Sequence, residues 1–374
     1  MKKNTLCVHA GGYQDPNTSG LSTPIFTSSA YNYLDNPKQP YPRYFNTPNQ
    51  EAVAAKLAAL EGAEAAMVFS SGMAAISTTL LSLLKSGDHI VLQNELYGGT
   101  FNLVAKEFSR QNIDYTLTAT HADAVIEAIN KNTRVIYLES PTNPLLTIVD
   151  IRRITGVAIK KGITTVIDNT FASPINQNPL NLGVDIVLHS GTKYLAGHSD
   201  LCCGVVASNQ SYITQLHQTA VNFGGSMDSN SCSLLERSLK TLSLRVERQC
   251  SNALSLAKYL ETLSGVSKVF YPGLESSPYH SIAKSQMHGF GGMLAFELAA
   301  DISPEIFLKK LKLISPALSL GGIESTICSP AATSHLKMSQ DQREAIGITD
   351  AILRLSVGIE DIEDLQQDIA QALN

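Results

Sequence analysis

The sequence predicts an α/β protein: a large domain on a mainly parallel, seven-stranded sheet, followed by a smaller α+β domain. Seven short apolar runs alternate with stretches of helical length and period between residues 66 and 207. A helical stretch at 229–264 then breaks the alternation; it has no proline and meets its first glycine at Gly265. Of 374 residues, 44% are hydrophobic and 16% charged, against roughly 25% charged in an ordinary soluble chain. So low a charge content implies extensive burial, in a large interior or between subunits.

Residues 1–46 are rich in Pro, Asn, Ser, Thr and Tyr and carry no sustained period. They read as an extended arm with room for one short helix. Its aromatic and Arg cluster, Tyr41-Pro42-Arg43-Tyr44-Phe45, suits an arm laid across a partner subunit. Residues 47–232 form the expected α/β domain. It opens with an amphipathic helix from Glu51 to Leu60, closed by Gly62. The expected strands are Ala66–Phe69, His89–Leu92, Ile113–Leu117, Val135–Leu138, Thr165–Ile167, Asp185–Leu188 and Gly204–Ala207. Helices are expected at 74–84, 101–110, 122–130 and 151–160. Residues 233–374 form the smaller domain, with strands at Val269–Tyr271, Met293–Glu297 and Leu353–Val357 and a closing helix from Asp361 towards Ala372.

Composition narrows the function. A net charge of −5 speaks against a nucleic-acid partner, which wants a basic surplus. No run reaches the roughly 18 apolar residues of a membrane span, and the first residues lack a signal-peptide core. Six cysteines, at 7, 202, 203, 232, 250 and 328, show no Cys-x-x-Cys spacing. They read as free thiols of a cytoplasmic protein. His189, His198, Cys202 and Cys203 match no common zinc spacing, so no metal is expected. The nucleotide fingerprints are missing too.

In an open α/β sheet, ligands sit beyond the carboxyl ends of the strands, and four polar clusters are expected there. Ser70-Ser71-Gly72-Met73 forms a strand-to-helix turn, whose bare N–H groups suit a phosphate or merely cap the helix. Asp168 ends a buried strand and needs a partner. Lys193 follows a strand end and two hydroxyls, Ser190 and Thr192; an amine in such a pocket suits imine chemistry. Arg354 lies among apolar residues and wants a planar anion, either a substrate carboxylate or a structural acid. Together, an imine-forming lysine, an acid for a ring nitrogen, a phosphate cradle and a carboxylate fork describe a pyridoxal phosphate site.

These segments, in this order, resemble the Cys/Met-metabolism (transsulfuration) family of pyridoxal-phosphate enzymes, within the aspartate-aminotransferase-like fold type I. The markers are Ser-Ser-Gly-Met-Ala-Ala at 70–75, Leu-Tyr-Gly-Gly-Thr at 96–100, Glu-Ser-Pro-Thr-Asn-Pro-Leu-Leu at 139–146 and Asp-Asn-Thr-Phe at 168–171. His-Ser-Gly-Thr-Lys-Tyr at 189–194, Ser-Leu-Gly-Gly-Ile-Glu-Ser at 319–325 and Leu-Arg-Leu-Ser-Val-Gly at 353–358 complete them. The resemblance implies that Lys193 carries the cofactor and moves protons, while Asp168 pairs with the pyridine nitrogen. Gly72, Met73, Ser190 and Thr192 would hold the phosphate. Tyr97 would stack on the ring and protonate a departing thiol. Asn143 would touch the ring oxygen or the substrate carboxylate, and Arg354 with Ser319 would clamp that carboxylate. Tyr41 and Arg43 would reach a neighbour's phosphate in a homodimer, usually paired into a homotetramer.

Against the family pattern, Pro40 stands where cystathionine-handling members often carry an acid, and Asn102 where they often carry an Arg. Both resemble sulfhydrylases and methionine γ-lyases. Glu324, a candidate substrate contact, resembles the cystathionine pattern, as does Gly99, where methionine γ-lyases often have Cys. The expectation is therefore an enzyme making or breaking a C–S bond by β/γ-elimination or γ-replacement. Cystathionine γ-synthase or lyase activity comes first, and O-acetylhomoserine sulfhydrylase or methionine γ-lyase activity second. A non-catalytic binding protein that keeps the fold is the reading from another class.

Overall fold

The computed structural model describes residues 1–34, 37–333, 340–345 and 347–374. All seven expected strands form one sheet: β1 (Ala65–Phe69), β2 (His89–Gln93), β3 (Asp114–Thr118), β4 (Thr133–Glu139), β5 (Thr164–Asp168), β6 (Ile186–Ser190) and β7 (Gly204–Ser208). Their spatial order is β1-β7-β6-β5-β4-β2-β3. Pairing is parallel except at β7, antiparallel to both β1 and β6.

Side-chain alternation gives the sheet two buried faces. Ile90, Leu92, Val135, Tyr137, Val166, Ile186 and Leu188 pack with Ile76 and Leu80 of helix Gly72–Leu83 and with Leu216 and Ala220 of helix Gln210–Phe223. Val91, Ile136, Leu138, Ile167 and Val187 pack on the other face with Ile151, Ile154 and Ala158 of helix Ile151–Lys161. The helix expected at 101–110 begins at Gly98 and passes through a π-helical turn at Val104–Phe108. Helix Gln210–Phe223 has no counterpart in the expectation; its signal was Asn209, whose side chain caps the Tyr212 N–H at 2.9 Å.

The second sheet has the order β10-β11-β12-β9-β8. It consists of β8 (Val266–Phe270), β9 (Met293–Leu298), β10 (Ser315–Pro316), β11 (Thr326–Cys328) and β12 (Ile352–Ser356). The three strands expected here are β8, β9 and β12. Strands β10 and β11 are too short to show an alternation. Helix Ile362–Leu373 closes the chain, and its Leu365 and Ile369 pack on Leu294, Phe296, Leu353 and Leu355. Near the N-terminus one short helix, Lys3–His9, precedes extended chain.

The expected single helix over 229–264 is two, Ser229–Leu239 and Leu242–Leu260. The correction has a tertiary cause. At the break, buried Arg245 donates to the Ser238 carbonyl (3.0 Å) and to Thr241 Oγ1 (3.3 Å), and it also holds the carbonyls of Tyr194 (2.8 Å) and Leu195 (3.3 Å). Four and seven residues on, Gln249 donates to the Gly322 carbonyl (2.7 Å) and Asn252 to those of Gly358 (3.2 Å) and Glu360 (2.8 Å). One helix face thus clamps loops belonging to both sheets. Burial lowers the Arg245 pKa to about 10, so the group stays cationic at neutral pH. Arg245→Met should cost about 3 kcal/mol in urea unfolding, because buried carbonyls lose their donors; a loss under about 1 kcal/mol would contradict the clamp.

Candidate active site

The carboxyl ends of β1, β4, β5 and β6 open on a cavity of about 470 Å³, to which the second sheet contributes Arg354 and the loop between β10 and β11 contributes Ser319. Ten predicted site residues line it: Gly72, Met73, Tyr97, Asn143, Asp168, Ser190, Thr192, Lys193, Ser319 and Arg354. Tyr41, Arg43 and Glu324 do not. The Arg43 guanidinium donates to the Val221 carbonyl at 2.5 Å and lies over the rings of Tyr41 and Tyr44. Glu324 is exposed, 3.5 Å from the Ser199 hydroxyl.

Asp168 is the last residue of β5, and burial raises its carboxyl above the usual carboxylate range. Thr170 opposes that rise. Its N–H donates to Asp168 Oδ1 at 2.9 Å, its hydroxyl donates to the same oxygen, and it accepts the Ser190 N–H at 2.8 Å. Donors of this kind favour the ionised form. Behind this pair, on the opposite face of the strand ends, His189 bonds buried Glu61 at 2.5 Å, and Asn169 donates to Glu61 at 3.2 Å.

Lys193 is half-buried, and its ammonium donates to Ser319 Oγ at 2.7 Å. Burial first, and then the Arg354 charge, lower its pKa below the ordinary lysine value. Arg354 is buried in the middle of β12 and donates to Asn143 Oδ1 at 2.8 Å and to the Ser319 carbonyl at 3.2 Å. Its Nε has no partner, and among the described residues no carboxylate makes an ion pair with it. A buried guanidinium that lines a cavity and keeps an unpaired Nε is incomplete without an anion.

The cradle also fits an anion. Ser71 caps helix Gly72–Leu83 through the Ala74 N–H at 3.1 Å, leaving the N–H groups of Gly72 and Met73 without intrahelical acceptors. A Cβ at Gly72 would lie 3.1 Å from Ser190 Cα and 3.2 Å from its hydroxyl, so glycine permits this approach. The Thr192 hydroxyl lies on the same wall but bonds the Cys203 backbone, accepting its N–H at 3.0 Å and donating to its carbonyl at 3.2 Å. Half-buried amine, buried acid, bare helix N–H groups and open guanidinium edge all fit pyridoxal phosphate and an amino acid. The match to the family profile described as "Cys/Met metabolism PLP-dependent enzyme" runs over residues 4–374.

The chain belongs to that family.

It is 43% identical to a cystathionine γ-lyase of Bacillus subtilis, over 100% of this chain and 99% of the relative. It is equally 43% identical to a cystathionine β-lyase of Lactococcus lactis subsp. cremoris, over 99% and 98%. The solved cystathionine γ-lyase of Lactobacillus plantarum, complexed with L-serine, superposes with a TM-score of 0.96 at 40% identity, covering 100% of this chain and 98% of that one. The fold is that of the type I pyridoxal-phosphate enzymes, and the chain is a PLP-dependent enzyme.

Sequence reasoning gave no role to Glu139, Thr170 or Glu61. Glu139 and Thr170 line the cavity. Glu139 carried the signal that marked Asp168, an acid at a strand end. Among the described residues no group of three or more His, Cys, Asp or Glu is arranged to hold a metal; His189 is bound to Glu61, and His198 to the Ala196 carbonyl at 2.7 Å.

Proposed function

We propose that the chain cleaves the C–S bond of cystathionine by elimination. The guanidinium of Arg354, without a carboxylate partner among the described residues and in one cavity with Lys193, carries the amino-acid part of this reading. The cystathionine part draws on the cystathionine lyases named among the relatives and on the motif that carries Glu324, an exposed acid outside the cavity lining. Gly99 adds support. A Cβ there would lie 2.4 Å from Tyr97 Cε1 and 2.8 Å from Met73 Sδ, so the Cys common in methionine γ-lyases demands a rearrangement. Gly99→Ala is expected to lower kcat/KM about tenfold through that overpacking; an unchanged value would remove position 99 from the argument.

Bound pyridoxal phosphate supplies an electron sink for negative charge at the substrate Cα. Lys193 would hold it covalently, Asp168 would face its ring nitrogen, and Gly72, Met73 and Ser190 would hold its phosphate, with Thr192 beside them. Arg354, steadied by Asn143 and the Ser319 carbonyl, orients the substrate carboxylate. Lys193, freed from its link and steered by Ser319 Oγ, moves the proton at Cα; its lowered pKa enlarges the neutral, basic fraction. The Tyr97 hydroxyl is suited to donate a proton to the leaving sulfur.

The second reading, O-acetylhomoserine sulfhydrylase or methionine γ-lyase, is favoured by Pro40 and Asn102. A panel of cystathionine, methionine, cysteine, O-acetylhomoserine and O-succinylhomoserine, with and without thiol, decides between them. Pyruvate from cystathionine means β-cleavage and 2-oxobutyrate means γ-cleavage; turnover of methionine without cystathionine overturns the first reading. The same reading includes a cytoplasmic, homo-oligomeric enzyme, a dimer usually paired into a tetramer, with Tyr41 and Arg43 serving the partner's site. The exposed Leu21 (94%), Tyr33 (70%) and Leu34 (70%) of the arm support an interface.

A further inference from the structure

Glu139 is a buried carboxyl at the cavity for which the mechanism above has no use. It closes β4 and stands opposite Asp168 in the parallel register with β5. Its own backbone is held on both sides by Gln93 at the end of β2: the Gln93 amide donates to the Glu139 carbonyl at 2.8 Å and accepts its N–H at 3.1 Å. The side chain, so fixed, accepts the Tyr97 N–H at 2.8 Å through Oε2. Tyr97 is half exposed over the cavity, so this bond ties the wall carrying Tyr97 to the floor carrying Asp168.

We propose that Glu139 is a positioning residue that sets Tyr97 over the cofactor ring, and that it works as a neutral acid rather than as a second anion beside Asp168. The inference rests on the cofactor reading above.

The charged groups that act on Glu139 are Asp168 from β5 and Glu95 from the loop after β2, both acidic. Among the described residues no basic group pairs with it. Glu95 is itself held by the hydroxyls of Thr142 (2.7 Å) and Thr147 (3.0 Å). Burial first, and then Asp168, push the Glu139 carboxyl well above the usual carboxylate range. The two residues are paired on adjacent strands, about 4.8 Å apart in the backbone, and two buried neighbouring carboxyls do not both ionise cheaply. Asp168 has the Thr170 N–H and O–H to stabilise its charge; Glu139 has, among the described residues, only the Tyr97 N–H, which favours the ionised form less than burial and Asp168 oppose it, and which a neutral carbonyl oxygen still accepts. The division leaves a single negative charge, on Asp168, for a ring nitrogen.

A neutral acid and a primary amide have the same shape and the same acceptor, so glutamine is the conservative replacement here and aspartate is not. The test uses the cofactor-loaded protein and the variants Glu139→Gln, Glu139→Asp and Glu139→Ala. The circular dichroism of the cofactor's visible band reports the ring's asymmetric surroundings, including Tyr97. Urea unfolding of the cofactor-free proteins reports the fold separately. E139Q is expected to keep the native band and a kcat/KM within about threefold of native, whereas E139A and E139D change the band and lose about tenfold or more, the cost of one lost buried hydrogen bond. E139Q failing as badly as E139A would show that the charge is needed and overturn the neutral-acid assignment. An unaltered band in E139A overturns the positioning role. If E139A does not fold, the contrast of E139Q with E139D decides. Native protein that takes up no pyridoxal phosphate sinks the cofactor reading instead, a result the unsubstituted chain gives alone.

Discussion

Lys193→Ala is expected to abolish turnover, with a loss of at least about 10⁴-fold in kcat, because the proposed mechanism makes one amine both covalent anchor and proton carrier. Borohydride treatment of the loaded variant should leave no cofactor attached to the chain, whereas the native protein should retain it. The fold should not suffer. In the native chain the amine is kept half out of water beside the Arg354 guanidinium, and both lower its pKa. A lysine whose folded-state pKa is depressed binds its proton less well folded than unfolded. Its contribution to stability is present above the unfolded pKa and lost as pH falls through the folded one. Near neutral pH the side chain is therefore a liability, and cofactor-free K193A should unfold at no lower urea concentration than native protein. A variant that still processed cystathionine at a tenth of the native rate would show the wrong residue had been chosen.

Asp168→Asn should lower kcat/KM by about 10²-fold or more, since the buried charge proposed to face the ring nitrogen is lost, and cofactor affinity should fall with it. Its effect on the empty protein has the opposite sign. Burial raises the Asp168 carboxyl, so the folded chain holds that proton more tightly than the unfolded one. The associated stability is complete below the ordinary carboxylate pKa and drains away as pH rises through the higher folded value. D168N should therefore stabilise the cofactor-free chain at neutral pH and flatten its decline as pH rises above the ordinary carboxylate range. Urea unfolding at acidic and at neutral pH, with and without pyridoxal phosphate, measures this. If D168N destabilises the empty protein, the carboxylate is not paying a burial penalty.

Much of this was legible from residues alone. Strands such as Val135–Leu138 and Ile186–Leu188 declare themselves because a sheet covered on both faces needs apolar side chains at every position. Asp168, Ser190 and Lys193 were findable because polar groups directly after such runs must stand at strand ends. Other features were hidden for identifiable reasons. The break at Thr241 carries no glycine or proline; it answers to Arg245, whose carbonyl partners include Tyr194 and Leu195 on a distant loop. His189 fitted no metal pattern and was left without a role, because its partner, Glu61, lies 128 residues away. Glu139 lay in plain view inside a quoted motif, but its task is set by Tyr97 and Asp168, and nothing local announces either.

The helix face bearing Arg245, Gln249 and Asn252 has a further consequence. Lys193 arrives from one sheet and Arg354 from the other, and a helical strut bonded to loops of both ties the two together. Chemistry at the α-carbon is in this way insulated from changes at exposed positions outside the cavity lining, such as Ser199 and Glu324. Selectivity can then drift by substitution at the rim while the reaction's geometry stays constant, and redesign for a new side chain should begin at those outer positions with the strut untouched.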